Sequence, residues 1–505
     1  MGNTNKLKLY LAEKFLESFT TDNIWLFVGK PNAWSSATTP AKLGQQAYTT
    51  DSQLAEIENW DDIMSIQRVS DVSLVVPSVT ISTSTSFTEY TDDSDLFDDA
   101  STDKFFGVTD STKRNVYKCI SNNNGSAVGT DIPDVMQEKV IKSANDGYIW
   151  KFMYHISASD WDKYRVDAGS SIGGWIPVKR LTKANDSAQW DHAMKGAVDG
   201  EILHVATTAA TGFENVNGNP FTGKLGDTVH INKDLTGEGL GTGFVGKVAQ
   251  HGSSNFYIDV TNPGSGYRKI LTIHTYNGSI YDSANLATQL KPIISPLGGH
   301  GFDAVDELGG FRVMISVDLN ETMIDFIKEN EFRKIGLIVN TYTEKSYLDY
   351  VSGDLLVSGN KYRESVNTRQ LVKANISPAT FQGAGDNGNG VRPADIRDQE
   401  FTLWDSNAVE TATKVRIVEV NPESGQDTNN PVLYLLPTQG KFDATATSGT
   451  IRGRMTGDNN DSSLFVTSYT QEKLQKYTGK IIYVDNIAAS DRGNGTQKLK
   501  LVVEF

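Results

Sequence analysis

The strongest constraint in this 505-residue chain is where its aromatic side chains fall. They sit inside short apolar runs that break at glycine, proline or asparagine. Ile24-Trp25-Leu26-Phe27-Val28 stops at Gly29-Lys30-Pro31, and Asn32-Ala33-Trp34-Ser35-Ser36 follows. Val116-Tyr117-Lys118-Cys119 has the same texture, as does the stretch from Asp146-Gly147-Tyr148-Ile149-Trp150 to Ile156. Short runs of β-branched and aromatic residues bounded by turn formers read as strands. None of these runs carries a nucleophile beside a base, a metal cluster or a phosphate loop. They read as packing and docking surfaces, which turns the search away from enzymes.

Composition points the same way. The chain has 45 glycines and is rich in Ser, Thr, Asn and Asp, which suits many short strands joined by turns. Its formal charge of −15 repels phosphate backbones, so no nucleic-acid partner is expected. The single cysteine, Cys119, allows no intrachain disulfide and fits a reducing cytosol; between Tyr117 and Ile120 it reads as a buried, inert thiol. No basic region followed by an apolar core opens the chain, and no apolar run is long enough to span a bilayer. Neither a secretory leader nor membrane insertion is therefore expected.

Along the chain, residues 6–19 carry Leu9, Ala12, Leu16 and Phe19 at helical spacing, with Phe15 beside them. Ile24 to Val28 follows as a buried strand, and 31–52 as a long loop. Trp60 to Arg68 reads as a short helix, Val72 to Val76 as a strand stopped by Pro77, and 78–114 as an acidic loop. Val116–Ile120 and Ile149–Ile156 read as strands, and Trp175-Ile176-Pro177-Val178 as a strand end. From Gly196 to Ser295 glycines punctuate short strands, with Asn262-Pro263-Gly264-Ser265-Gly266 as a separating turn. Val313, Ile315 and Val317 alternate in one strand, Met323, Phe326 and Ile327 mark a short helix, and Ile335–Val339 is another buried strand. Residues 360–400 read as a connection. Residues 401–470 form a second β module, for which a small barrel is one closure. In the last residues Leu499, Leu501, Val503 and Phe505 share one face, as in a strand that closes a sheet.

The expected fold is mainly β with a few helices (α+β): a discontinuous β-sandwich core with inserted small β modules. Residues 1–195 begin the core, 196–298 are a Gly-rich module, 299–359 return to the core, 360–475 are the second module and 476–505 close the core.

Motifs that imitate chemistry lack its context. Gly241-Thr242-Gly243-Phe244-Val245-Gly246 matches a dinucleotide fingerprint, but no helix follows to hold a pyrophosphate, so a Gly-rich hairpin is expected. Gly218 to Lys224 spaces like a P-loop, but Leu225 stands where magnesium needs a hydroxyl. The acidic run Asp92 to Asp103 lacks the glycine and closing glutamate of a calcium loop. The seven histidines (155, 192, 204, 230, 251, 274 and 300) show no helical pair spacing for a metal, and ordinary structural imidazoles are expected. No catalytic residue, cofactor or metal is assigned.

The segments quoted first resemble the baseplate wedge subunit of T4-like contractile-tailed phages, the gene-product-eight family. Ile24 to Val28 with Gly29, then Trp34-Ser35-Ser36, looks like the family's strand ending Phe-Gly and its Trp-Ser-Ser. Thr50-Asp51-Ser52, Val75-Val76-Pro77, Val116-Tyr117-Lys118-Cys119 and Asp146-Gly147-Tyr148-Ile149-Trp150 follow in the family's order. Phe332-Arg333-Lys334-Ile335, Val339-Asn340, Gly479-Lys480-Ile481-Ile482-Tyr483, Asn486 and Phe505 resemble its last strands. About half of the chain is covered. The resemblance implies a non-catalytic virion protein of the tail baseplate, assembled in the host cytoplasm. It also implies a β-rich homodimer that links neighbouring wedge proteins and takes part in baseplate rearrangement. The packing motif it marks is Trp25, Phe27, Gly29, Trp34, Tyr117, Asp146, Gly147, Tyr148, Trp150 and Phe505. Two readings compete. One is a receptor- or glycan-binding tail module on the β insertions, with Trp404, Phe256 and Tyr257 as candidate aromatics. The other is a tail-associated hydrolase.

Overall fold

The computed structural model describes residues 5–31, 52–97, 104–123, 125–167, 174–207, 228–231, 240–251, 255–268, 273–276, 290–319, 331–341, 367–369, 371–377, 393–421, 432–439, 442, 448–454, 461–470, 476–490 and 497–505. The chain is mainly β with a few helices, an α+β fold. By contacts it divides into two compact units. The first comprises Met1–Leu16, Ser73–Met314 and Leu501–Phe505; the second comprises Glu17–Val72 and Ile315–Lys500.

The N-terminal elements are helix α1 (Asn5–Thr21) and strand β1 (Ile24–Gly29). Leu9 and Ala12 are buried on α1, and every residue of β1 is buried. The expected loop 32–51, with Trp34, lies outside the described residues. Helix α2 (Gln53–Asp62) starts at Ser52, whose hydroxyl accepts from the Ala55 N–H. Strand β2 (Ile63–Arg68) follows at once, so the helix expected over Trp60–Arg68 is corrected. Trp60, Ile63 and Ile66 imitate a helical stripe by their three-residue spacing. Pairing of β2 with β1 overrides it, from Phe27 opposite Ile66 to Trp25 opposite Arg68. Strand β3 (Asp71–Ser78) runs through Pro77, one residue past the expected stop.

The first unit holds most of β3 and the next elements. These are β4 (Phe106–Val108), β5 (Asn115–Ser121), β6 (Ile141–Lys142), β7 (Ile149–His155), α3 (Ala158–Tyr164), β8 (Gly174–Val178) and α4 (Ser187–His192). The Gly-rich stretch contributes β9 (Ile202–Thr207), β10 (Thr228–Ile231), β11 (Leu240–His251), β12 (Asn255–Tyr267), β13 (Ile273–Tyr276) and β14 (Leu290–Ile294). Helix α5 (Ala304–Leu308) comes next, capped by Asp303. The sheets of this unit run β4-β5-β7-β6, β12-β11-β10-β13 and β14-β9. A further sheet has the order β25-β15-β3-β8, with β15 (Arg312–Leu319) and β25 (Gln497–Glu504). One apolar cluster joins Leu9 and Ala12 of α1 to Tyr117, Trp150 and Phe152, and Phe505 packs on it with Phe15, ring centroids 5.4 Å apart. β25 is the edge strand of the sheet that contains β3, with β15 between them.

Gly241–Gly246 sits in β11, which pairs antiparallel with β12. The expected turn at Asn262–Gly266 is corrected, because those residues continue β12, with Pro263 opposite Phe244 and Ser265 opposite Thr242. Gly241 (φ 57°) and Gly264 (φ 66°) take left-handed backbone closed to most side chains. A Cβ on Gly241 would lie 2.4 Å from the Tyr267 ring, so local composition that resembles a turn makes a twisted ribbon around one buried tyrosine. The P-loop-like stretch at 218–224 lies outside the described residues, as does the helix expected at Met323–Ile327.

The second unit contains β1, β2, β16 (Phe332–Val339), β17 (Asn367–Arg369) and β24 (Lys480–Ser490) in one sheet of order β17-β2-β1-β16-β24. It also contains a closed barrel, β18-β21-β20-β19-β22-β23. Its strands are β18 (Val372–Ile376), β19 (Glu400–Trp404), β20 (Glu410–Asn421), β21 (Val432–Gln439), β22 (Gly449–Arg454) and β23 (Asp461–Thr470). Alternate residues face the barrel core, such as Val372, Ala374 and Ile376, or Leu433 and Leu435. Ile396 of the short helix α6 (Pro393–Ile396) is buried among them. The stretch 360–400, expected as a connection, is corrected in part, since β17 and β18 build sheet and barrel from it.

Gly336 sets the tightest approach in the five-stranded sheet. It faces Phe27 across β1 and β16, and an added Cβ would lie 2.3 Å from the Phe27 ring and 2.4 Å from the Tyr483 carbonyl oxygen. The carbonyl is backbone and cannot swing aside. Gly336→Ala is expected to cost about 1–3 kcal/mol, read as a lower denaturant midpoint; an unchanged midpoint contradicts the packing described.

Candidate functional site

In the second unit, Trp25 and Phe27 are fully buried on β1 and pack with Trp60, Ile63, Ile66 and Ile338. Gly29 lets the strand approach the end of α2: a Cβ there would lie 2.3 Å from the Asp62 carbonyl oxygen, and Lys30 N–H donates to that oxygen at 3.0 Å. The Asp62 carboxylate accepts from Lys334 Nζ at 2.7 Å, and Asn59 Oδ1 accepts from the same nitrogen at 2.9 Å. These residues close a core.

In the first unit, Asp146 and Gly147 make the turn into β7. Asp146 Oδ2 accepts from Gly129 N–H at 2.7 Å and Oδ1 from Tyr148 N–H at 3.0 Å, while Gly147 adopts φ 74°. Both carboxylate oxygens are used to fix the backbone. Tyr148 stacks on Trp150 with centroids 5.1 Å apart, and Phe87 meets Trp150 edge-on at 5.2 Å. The Tyr117 hydroxyl donates to Val135 C=O at 2.8 Å. Burial pushes the Tyr117 and Tyr148 hydroxyls up to about 12, so both stay protonated donors. Phe505 is half-buried against the same core.

Beside these aromatics lies a buried charge cluster that sequence reasoning did not identify. Lys118 on β5 and Lys151 on β7 are register partners, so two ammonium groups occupy neighbouring strands. Lys118 Nζ donates to Glu307 Oε2 at 2.9 Å, with side chains 0% and 3% exposed. Its ammonium lies 3.9 Å from the centre of the Tyr90 ring. Lys151 Nζ donates to the carbonyls of Glu138 (2.7 Å) and Gly196 (3.2 Å). Glu307 Oε1 accepts from Gly301 N–H at 2.7 Å and Asp303 N–H at 3.3 Å. His300 meets Tyr90 edge-on, and its buried Nδ1 stands 3.9 Å from Glu307 Oε2 without a hydrogen bond. Burial lowers the affinity of both lysines for their protons, against the pull of the carboxylates. Burial, with Lys118 and Lys151 nearby, keeps His300 neutral. The one available signal was a lysine inside each of two otherwise apolar strands, at positions that pair only in the fold.

Glu201, at the start of the Gly-rich stretch, completes the cluster. Burial, with Glu307 adding repulsion, pushes its carboxyl up to about 7, opposed by Lys151 and by the His300 and Val198 N–H groups. A carboxyl raised from an ordinary 4.5 stabilises the fold fully below pH 4.5, and that contribution is lost as pH climbs through about 7. Relative to Glu201→Gln, the wild-type protein is therefore expected to lose stability across this window, by roughly 1.4 kcal/mol for every tenfold difference in proton affinity between folded and unfolded chain. Unfolding free energies of both proteins at several pH values check this; parallel profiles contradict it.

The remaining sequence candidates lie elsewhere. Asp92 and Asp93 hold Lys291, with Asp92 Oδ1 3.2 Å from its Nζ. Cys119 is buried, and burial raises its thiol far above the ordinary range. His204 pairs with Glu89 at 3.3 Å. Trp404 is half-buried on the barrel with the Arg452 guanidinium 4.1 Å from its ring centre, so one face of the ring is occupied. Tyr257 is half-buried on β12, and the side chain of Phe256 lies outside what the structure describes. Among the described residues no helix is long and apolar enough to cross a membrane. In comparisons with known proteins, no family model matches the chain and no curated protein matches it.

Proposed function

We propose that this chain is a structural subunit of a contractile-tail baseplate wedge, acting as a homodimer that links neighbouring wedge proteins. One observation carries the reading. The segments that resemble the wedge family lie far apart in sequence and are strand neighbours in space. Ile24–Gly29, Phe332–Val339 and Lys480–Ser490 are the consecutive strands β1, β16 and β24 of one sheet. Val116–Cys119 and Ile149–Trp150 pair as β5 and β7 of another. Chance likenesses scattered over several hundred residues have no reason to assemble this way. The motif residues that the structure describes are spent on packing and turns, which suits a scaffold gripped by copies and neighbours.

The test is assembly. Purified protein is expected to sediment as a dimer and to enter an ordered complex when mixed with the other wedge proteins of the same virion. Antibody or tag labelling is expected to decorate the ring at the tube tip in electron micrographs. A monomer that ignores those proteins, or a virion without label at that ring, overturns the proposal.

A further inference from the structure

Lys118 and Glu307 lie as two reactants of a condensation would. Nζ stands 2.9 Å from Oε2, and both side chains are shut away from water. The other carboxylate oxygen already rests on two backbone donors, Gly301 N–H and Asp303 N–H, where charge would build up if the carboxyl carbon were attacked. Neutral His300 offers an unpartnered Nδ1 at 3.9 Å from Oε2. The face of the Tyr90 ring covers the amine. Burial of Lys118 and of its register partner Lys151 works against keeping both ammonium groups charged.

We propose that Lys118 and Glu307 condense into an intramolecular amide, a covalent cross-link between β5 and α5 made by the folded protein itself. The ammonium first passes one proton to Oε2, giving a neutral amine beside a neutral acid. The Nζ lone pair attacks Cδ, a C–N bond forms, and the carbonyl electrons move to Oε1, held by the two N–H donors. His300 Nδ1, in the tautomer that carries its proton on Nε2, takes a proton from Nζ and returns it to the Oε2 hydroxyl. The Cδ–Oε2 bond breaks, one water leaves, and the carbonyl re-forms at Oε1. No electron is gained or lost overall, and no co-reactant is needed.

The product suits its surroundings better than the reactants do. A buried ion pair bears the desolvation of both charges, and the amide bears neither. Its oxygen keeps both backbone donors, and its N–H faces the Tyr90 ring. The link also closes a long loop that contains the whole Gly-rich β stretch, which restricts the unfolded chain.

Intact mass spectrometry of the full-length folded protein decides it. The expected mass is one water below that of the sequence, and proteolysis is expected to release a branched peptide joining the strand around Lys118 to the helix around Glu307. Lys118→Met is expected to show the full mass. So is Lys118→Arg, which retains a cation beside Glu307, and so is wild-type chain made and kept in denaturant. Full mass for the folded wild-type protein overturns the proposal. A lost water that maps to an unbranched peptide, as ring closure at Asp146-Gly147 would give, also overturns it.

Discussion

Trp150→Ala is expected to lower stability by about 3–5 kcal/mol, the range for removing a large aromatic from a packed core. Trp150 is 0% exposed, with Tyr148 stacked on one face and Phe87 against it edge-on. The substitution strips both ring contacts and leaves a hole between strand and loop that neither neighbour can fill. Tyr148 is held at its hydroxyl, which donates to Ser126 C=O, and Phe87 N–H donates to that same hydroxyl at 3.3 Å. The wall of the hole is thus pinned, and collapse is resisted. The check is chemical denaturation, read as the shift in midpoint of the transition that reports the first unit. A shift worth less than about 1 kcal/mol means the site relaxes around the lost ring and the packing is not what holds this sheet.

The second large effect concerns the buried charges. Lys118→Met is expected to cost at least about 3–5 kcal/mol, because it removes the proposed cross-link and leaves the Glu307 carboxylate buried beside an apolar side chain. Glu307 keeps its two backbone donors, but these do not neutralise it. Adding Glu307→Gln removes the orphaned charge while preserving an acceptor for Gly301 and Asp303. The double variant is expected to recover the share of the loss caused by the orphaned charge, while the restraint of the proposed cross-link stays lost. Both variants are compared with wild type by the same denaturation. A double variant as unstable as the single one shows that the lysine contributes through its packed chain or the cross-link rather than through its charge.

Legibility followed the range of the interactions. Helix α1 was readable because Leu9, Ala12 and Leu16 repeat with the helical period in one stretch, and the core takes that stripe. β1 was readable because five apolar residues, Ile24 to Val28, run together up to Gly29, and the structure buries them all. Barrel strands β20 to β23 fall in the stretch 401–470 expected as a β module, while β18 falls in the expected connection. The failures have a common cause. Trp60–Arg68 has helical spacing, but β1 offers β2 a row of backbone partners. Asn262–Gly266 has turn composition, but β11 runs alongside it. β4 is only three residues long, too short to show a period, and exists because β5 pairs with it. At the candidate site, Asp146-Gly147 stood out as part of the family-like motif, and the fold gave it the role of a turn. Lys118, Lys151, Glu201, His300 and Glu307 were not, because no two of them are close enough in sequence to suggest a cluster.

The amino-acid order by itself determined the strand-rich character, the amphipathic first helix and the aromatic runs that fill the cores, because side-chain periodicity and turn chemistry act over a few residues. Only the tertiary structure decided which strands became neighbours, that six of them closed into a barrel, and that Lys118, beside Lys151 of the neighbouring strand, met Glu307 of a helix. Those outcomes depend on contacts between distant stretches, where burying apolar surface and satisfying backbone donors select one arrangement among many that the local pattern allows equally.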